Sequence, residues 1–240
     1  MDLVCLVTGA SSGIGRSIAI GLAPQSATIY LLARNEERLK ETKNMCIAAN
    51  PNVSVHVVIV DLSSADDISR AVNIVRSQSG RLNVLVHNAG VSMNSDILSP
   101  ECDMDEVEHV MNVNLLSVMR LTKLAVPLLL ASESQRHIFA ISSQSGVHTH
   151  PKTFAYCASK HGLQGFLESI FEDLRNEGVK VTSILPGYVD TPMISSRTNL
   201  DVSKAIDPSD IACLIQNLLQ WSGRSCPTRI DIRPQRNPRE

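Results

Sequence analysis

A phenol and an amine four residues apart on one helix face can exchange protons with a bound substrate. Tyr156 and Lys160 have this spacing inside Phe154–Asn176, a segment that reads as a helix. A tyrosine, with a reference pKa of about 10, is a poor acid–base group at neutral pH. A neighbouring ammonium favours the phenolate and brings that pKa toward a useful value. Most Tyr–Lys pairs at helical spacing are structural, so the pair gains meaning only from what accompanies it.

A second chemical signal is the run Thr8, Gly9, Ala10, Ser11, Ser12, Gly13, Ile14, Gly15. Residues without Cβ atoms let a backbone turn approach a pyrophosphate, and amides at a helix N-terminus then hold the phosphates. The spacing is GxxxGxG rather than the GxGxxG fingerprint. Glycines also permit any tight corner, but this run lies between a first strand and a first helix, where a dinucleotide binds. The second strand ends Leu32, Ala33, Arg34, Asn35, without a carboxylate for the adenosine 2′-hydroxyl of NAD. Arg34, a planar and permanently charged fork of donors, suits the 2′-phosphate of NADP(H) instead. The bland alternative is a surface arginine on a loop.

The elements that must position these groups alternate along the chain. Strands are expected at Leu3–Val7, Ala27–Ala33, Val53–Val60, Leu82–His87, His137–Ser142, Val179–Leu185 and Thr228–Ile232. Helices are expected at Gly13–Leu22, Glu36–Ala49, Ala65–Gln78, Asp105–Leu130 (bent near Pro127), Phe154–Asn176 and Pro208–Trp221. Continuous apolar strands separated by helices indicate a parallel sheet covered on both faces. Right-handed crossovers then give an α/β doubly wound Rossmann fold, one domain over residues 1–240.

Taken in order, the glycine turn, Asn88-Ala89-Gly90 after the fourth strand, Asn114 in a helix, Ser143 after the fifth strand and the Tyr156–Lys160 pair resemble the short-chain dehydrogenase/reductase family. The likeness runs from Leu3 to about Thr191 and includes Pro186, Gly187, Tyr188, Val189, Asp190 and Thr191. It implies that Tyr156 gives or takes the substrate proton and that Lys160 lowers the tyrosine pKa and holds the nicotinamide ribose. Ser143 would hydrogen-bond the substrate oxygen, and Asn114 would anchor a water joining Lys160 to solvent. On the cofactor side it implies Gly9, Ser11, Ser12, Gly13, Ile14 and Gly15 at the phosphates, and Arg34 and Asn35 at the adenosine ribose. Asp61 and Leu62 would meet adenine, with Asn88, Ala89 and Gly90 lining the adenosine side. Pro186, Gly187, Val189 and Thr191 would cover the nicotinamide. Three departures stand out. His87 replaces the first asparagine of the usual Asn-Asn-Ala-Gly, several serines (Ser142, Ser143, Ser145) crowd the fifth strand end, and the frequent glycine-rich ending is absent. Ser143 is preferred because it precedes Tyr156 by the family's usual thirteen residues.

Composition bounds the rest. With 240 residues, 43% apolar, 19% charged and a formal charge of -2, the chain suits one globular domain and lacks the basic footprint of a nucleic-acid binder. The longest apolar run, Leu124 to Ala131, is interrupted by Pro127 and is too short to span a bilayer, and no secretory signal is expected before the first strand. Six scattered cysteines without a C-x-x-C pair argue against zinc and for reduced thiols, hence a cytoplasmic location and no metal. The four arginines between Arg229 and Arg239 are expected to decorate a solvated, partly frayed tail.

The substrate loops are expected near 91–100, 144–154 and 188–206, with Met193 to Ile206 as a lid. His148 and His150 are expected to be exposed loop residues. With eight aromatic residues in the chain, few of them in these loops, stacking against a large aromatic substrate is not indicated, while aliphatic side chains can still form an apolar pocket. The family resemblance implies an NADP(H)-dependent reductase of a small ketone, aldehyde or diketone, similar to sepiapterin or benzil reductases. Rivals are a 3-oxoacyl-carrier-protein reductase, a hydroxysteroid dehydrogenase and a non-catalytic NADP(H) sensor. It also implies a homodimer or homotetramer through the long helices, with Phe166, Ile170 and Phe171 as interface candidates that serve an ordinary core equally well.

Overall fold

The structure is a computed structural model that describes residues 2–195 and 200–239. Its centre is a seven-stranded parallel sheet in the order β3-β2-β1-β4-β5-β6-β7. The strands are β1 (Leu3–Thr8), β2 (Ser26–Ala33), β3 (Ser54–Ile59), β4 (Val84–His87), β5 (His137–Ile141), β6 (Lys180–Pro186) and β7 (Arg229–Ile232). Alternation along β1 divides the interior into two cores. Leu3, Cys5 and Val7 face one, with α1 (Gly13–Leu22), α2 (Glu36–Ala49) and α7 (Pro208–Leu219). Val4 and Leu6 face the other, with α3 (Ala65–Ser79), α5 (Ser117–Leu130) and α6 (Phe154–Leu174). Both faces of the strand are therefore dry, which is why β1 reads as an unbroken apolar run rather than an alternating one.

The strand order reverses between β1 and β4, and the carboxyl ends of these two strands open a crevice. Gly80 ends α3 in the left-handed region at φ 66°, with open space where a side chain would stand. It hands the chain across to β4 and to the other half of the sheet.

Three expectations fail. The long helix is not one regular helix bent at Pro127. It runs as α4 (Met104–Met111), a π turn at Asn112–Leu116, and α5, which continues through Pro127. The Ser117 amide donates to the Asn112 carbonyl, a bond over five residues, and this wider turn swings Asn114 inward. Secondly, the composite helix Met104–Leu130 is long and apolar enough to cross a membrane, which a search for uninterrupted apolar runs overlooks. Half of its most apolar stretch is buried within the fold. Thirdly, residues 233–239 are not a frayed tail. Pro238 is buried, its carbonyl accepts from the Asp201 amide at 2.8 Å, and the Arg239 guanidinium donates to the Tyr188 hydroxyl and lies over its ring. Phe166, Ile170 and Phe171 are half-buried against the second core.

Candidate active site

The crevice is a cleft of about 430 Å³ whose walls come from both halves of the sheet. Thr8 ties them together at the floor. Its hydroxyl donates to the Val86 carbonyl at 3.2 Å and accepts from the amides of Asn88 at 2.9 Å and Ala89 at 3.1 Å. The Asn88 carboxamide then donates to the Thr8 and Gly9 carbonyls, fixing the start of the glycine turn.

Within that turn, Gly9 and Gly13 hold positive φ angles of 65° and 51°, a conformation costly for other residues. A Cβ on Gly13 would stand 2.9 Å from the Thr191 methyl, so the turn and the segment after β6 close on each other. Gly15 is not among the residues lining the cleft, and a Cβ there would collide with Asn88 and the Gly9 carbonyl at 2.4 Å. Ser12 begins α1 without a side-chain cap, and no acidic residue occupies the first turn. The orphan amides of that turn, with Gly9, Ser11, Gly13 and Ile14 beside them on the wall, suit an anion.

One end of the cleft carries Arg34, Asn35, Asp61 and Leu62. Asn35 caps α2, accepting from the Arg38 amide at 2.9 Å. Arg38 is a wall residue that the sequence reading missed, one helical turn beyond Arg34. Neither guanidinium makes an ion pair among the described residues. Arg16, by contrast, is consumed. It donates to the Ser11 carbonyl at 2.7 Å and to Thr42 at 3.0 Å, and pairs with Glu41. The Asp61 carboxyl is held below its usual range by the hydroxyl and amide of Ser63, with the charges of Arg34 and His109 adding to the effect. His109, from α4, joins the same wall and was also missed.

At the other end stand Ser143, Tyr156 and Lys160, with Gly90, Val91 and Ile141 beside them. Ser143 follows β5 in extended conformation and accepts from the Ser145 amide at 3.1 Å. Tyr156 is half-buried in the first turn of α6. Lys160 is buried; its Nζ donates to the Ile141 carbonyl at 3.1 Å and lies 5.7 Å from the Tyr156 ring centroid. Burial pushes its pKa down to about 8, so the ammonium still predominates at neutral pH. A Cβ on Gly90 would stand 3.7 Å from Nζ and 3.3 Å from the Asn114 oxygen, so this position packs directly against both.

Asn114 is buried behind the wall. Its oxygen accepts from the Val91 amide at 2.9 Å, and its nitrogen donates to the Val91 carbonyl at 2.9 Å and to Ser159 at 3.1 Å. Ser159 in turn donates to the Tyr156 carbonyl at 2.8 Å. The π turn thus fastens the loop after β4 to α6. His87 is buried and bonded to Thr122 at 2.8 Å, and burial pushes its pKa down to about 3. Pro186, Gly187, Val189 and Thr191 overhang the cleft. His148 and His150 are exposed. Part of the expected lid, residues 196–199, lies outside the described residues.

Known proteins resemble this chain in sequence and fold. A family model described as short chain dehydrogenase matches residues 3–201. An uncharacterized oxidoreductase of Staphylococcus saprophyticus is 35% identical over 233 residues, covering 97% of each chain. A metagenomic short-chain oxidoreductase solved with NADP is 32% identical, with a TM-score of 0.82 and 98% of each chain covered. A variant of the actinorhodin polyketide ketoreductase solved with NADPH is 26% identical, with a TM-score of 0.86, covering 97% of this chain and 96% of that one.

Proposed function

The chain belongs to the short chain dehydrogenase family of oxidoreductases, and from that premise we propose that it is an NADP(H)-dependent reductase of a small ketone, aldehyde or diketone. The observation that carries the reading is the Tyr156–Lys160–Ser143 group at one end of a cleft whose other end presents Arg34 and Arg38, neither in an ion pair among the described residues.

The residues present fit NADP(H). Glycines leave the floor open at the phosphates, the first turn of α1 offers free amides, and Arg34 and Arg38 flank the adenosine end without a direct ion pair among the described residues, Asp61 acting on Arg34 only through its charge. When bound, the cofactor supplies the hydride. The protein supplies everything else. Ser143 offers its hydroxyl to the substrate oxygen and stabilises the charge that develops there. Tyr156 delivers the proton to that oxygen in reduction, or removes it in oxidation. Lys160 holds a positive charge beside the phenol, which stabilises the phenolate left after proton transfer. Asn114 keeps Val91 and α6 in register, so the substrate loop and the proton donor share one frame. The NADP- and NADPH-bound relatives support the cofactor preference, and the six free cysteines suit a reducing, cytoplasmic setting.

The deciding assay adds NADPH or NADH to purified protein with a panel of ketones, aldehydes and 1,2-diketones and follows nicotinamide absorbance. The expected outcome is NADPH oxidation that Tyr156→Phe reduces at least about a hundredfold. Turnover that survives Tyr156→Phe removes the tyrosine from its role. Tight NADPH binding with no turnover across the panel would favour the sensor.

A further inference from the structure

Gln164 lies one turn beyond Lys160 and two turns beyond Tyr156 on the same face of α6. It is buried, and its amide nitrogen makes two hydrogen bonds, to the Ser142 hydroxyl at 2.7 Å and to the Ser183 hydroxyl at 2.9 Å. Ser142 directly precedes Ser143 and is itself fixed to β6 by its amide, which donates to the Ile184 carbonyl at 2.8 Å. Space around this junction is minimal. A Cβ on Gly146 would stand 3.0 Å from the Lys160 carbonyl, 3.1 Å from the Ser142 hydroxyl and 3.3 Å from Gln164 Cγ. A buried amide is a costly choice where leucine would pack, unless its hydrogen bonds are needed.

We propose that Gln164 is a positioning residue that sets the separation of Ser143 from Tyr156 by clamping Ser142 to α6. The inference rests on the proposed reductase reading, because it matters only if both hydroxyls address one substrate oxygen. Ser143 belongs to the strand end and Tyr156 to the helix; across the gap between them Lys160 reaches only as far as the Ile141 carbonyl, two residues before Ser143. The Gln164 amide spans it, and a shift of about 1 Å between groups that share a reacting atom costs on the order of a hundredfold in rate. Ser183 anchors the far side of the same amide, so the clamp cannot pivot about one bond.

Two readouts test this, one of them independent of substrate. Gln164→Leu should raise hydrogen exchange at the Ser145 and Gly146 amides at least about tenfold, leave exchange in β1 unchanged, and leave NADPH affinity within about twofold. With any carbonyl substrate that wild type reduces, kcat should fall about ten- to a hundredfold while KM changes little. Adding Ser142→Ala should cost little more, since both act through one contact. Gln164→Met, which fills a similar volume without donating to either serine, should show the same losses and serves as the test variant if the leucine variant does not fold. Unchanged exchange at 145–146, or losses that multiply in the double variant, would overturn the proposal. Absence of wild-type turnover would instead count against the reductase reading and leave the exchange result to decide the clamp.

Discussion

Lys160 is buried as a cation with a carbonyl and a phenol for company, and its stability consequence has a definite sign. Its pKa is about 8 in the folded chain against 10.5 for the ordinary group. Below pH 8 both states carry the proton, and the folded state bears the full cost of burying the charge. Between about 8 and 10.5 the unfolded chain binds more protons than the folded one, so stability rises with pH and the cost fades. The shift corresponds to on the order of 3 kcal/mol. Lys160→Met should therefore unfold at higher urea than wild type at pH 7, and the advantage should shrink by pH 9.5. Equal differences at the two pH values would show that the lysine is not held in this way. A residue that weakens the fold where it stands, in a cleft beside a tyrosine, is the pattern expected of a functional group.

At the scale of the element, α2 matters as much as the glycine turn. Arg16 is spent on the Ser11 and Arg38 carbonyls and on Glu41, which fastens the start of α2 to the turn, while Arg38 lines the cleft wall with no ion pair among the described residues. Replacing both Arg34 and Arg38 by alanine should weaken NADPH binding at least about tenfold, because charged hydrogen bonds to a phosphate contribute about 1.5–3 kcal/mol each. NADH binding, measured by the same fluorescence titration, should move less than about threefold; parallel losses would deny the arginines a 2′-phosphate role. The sequence declared Arg34 because a strand end precedes it, and the Tyr156–Lys160 pair because helical spacing is regular. Arg38 was harder to see, since it sits among the charges of an exposed amphipathic helix. The π turn left no mark either: Asn112–Leu116 continues the helical pattern of its neighbours, and the Val91 and Ser159 bonds to Asn114 that accompany it join residues far apart in the chain. Residues 233–239 read as solvated because their arginines outnumber their apolar groups, yet a single buried proline and the Tyr188 ring hold them down.

Over the whole molecule, the sheet divides the work. The half built from β1, β2 and β3 carries the phosphate turn, Arg34, Arg38 and Asp61; the half built from β4 to β7 carries Ser143, Tyr156, Lys160 and the overhanging loop. The halves meet along β1 and β4, pinned by Thr8 and Asn88. Gly80 lies on the chain path between them, its Cβ position facing open space. That makes it a natural crossing point for shuffling genes. A chimera that takes residues up to 80 from an NAD-preferring relative and the remainder from this chain should inherit the donor's coenzyme choice and keep this chain's order of preference among carbonyl substrates. A chimera that folds but exchanges both traits together would mean that the two selectivities are not separately heritable. If the first outcome holds, coenzyme and substrate preference can diversify independently in descendants of this fold, each by its own recombination history.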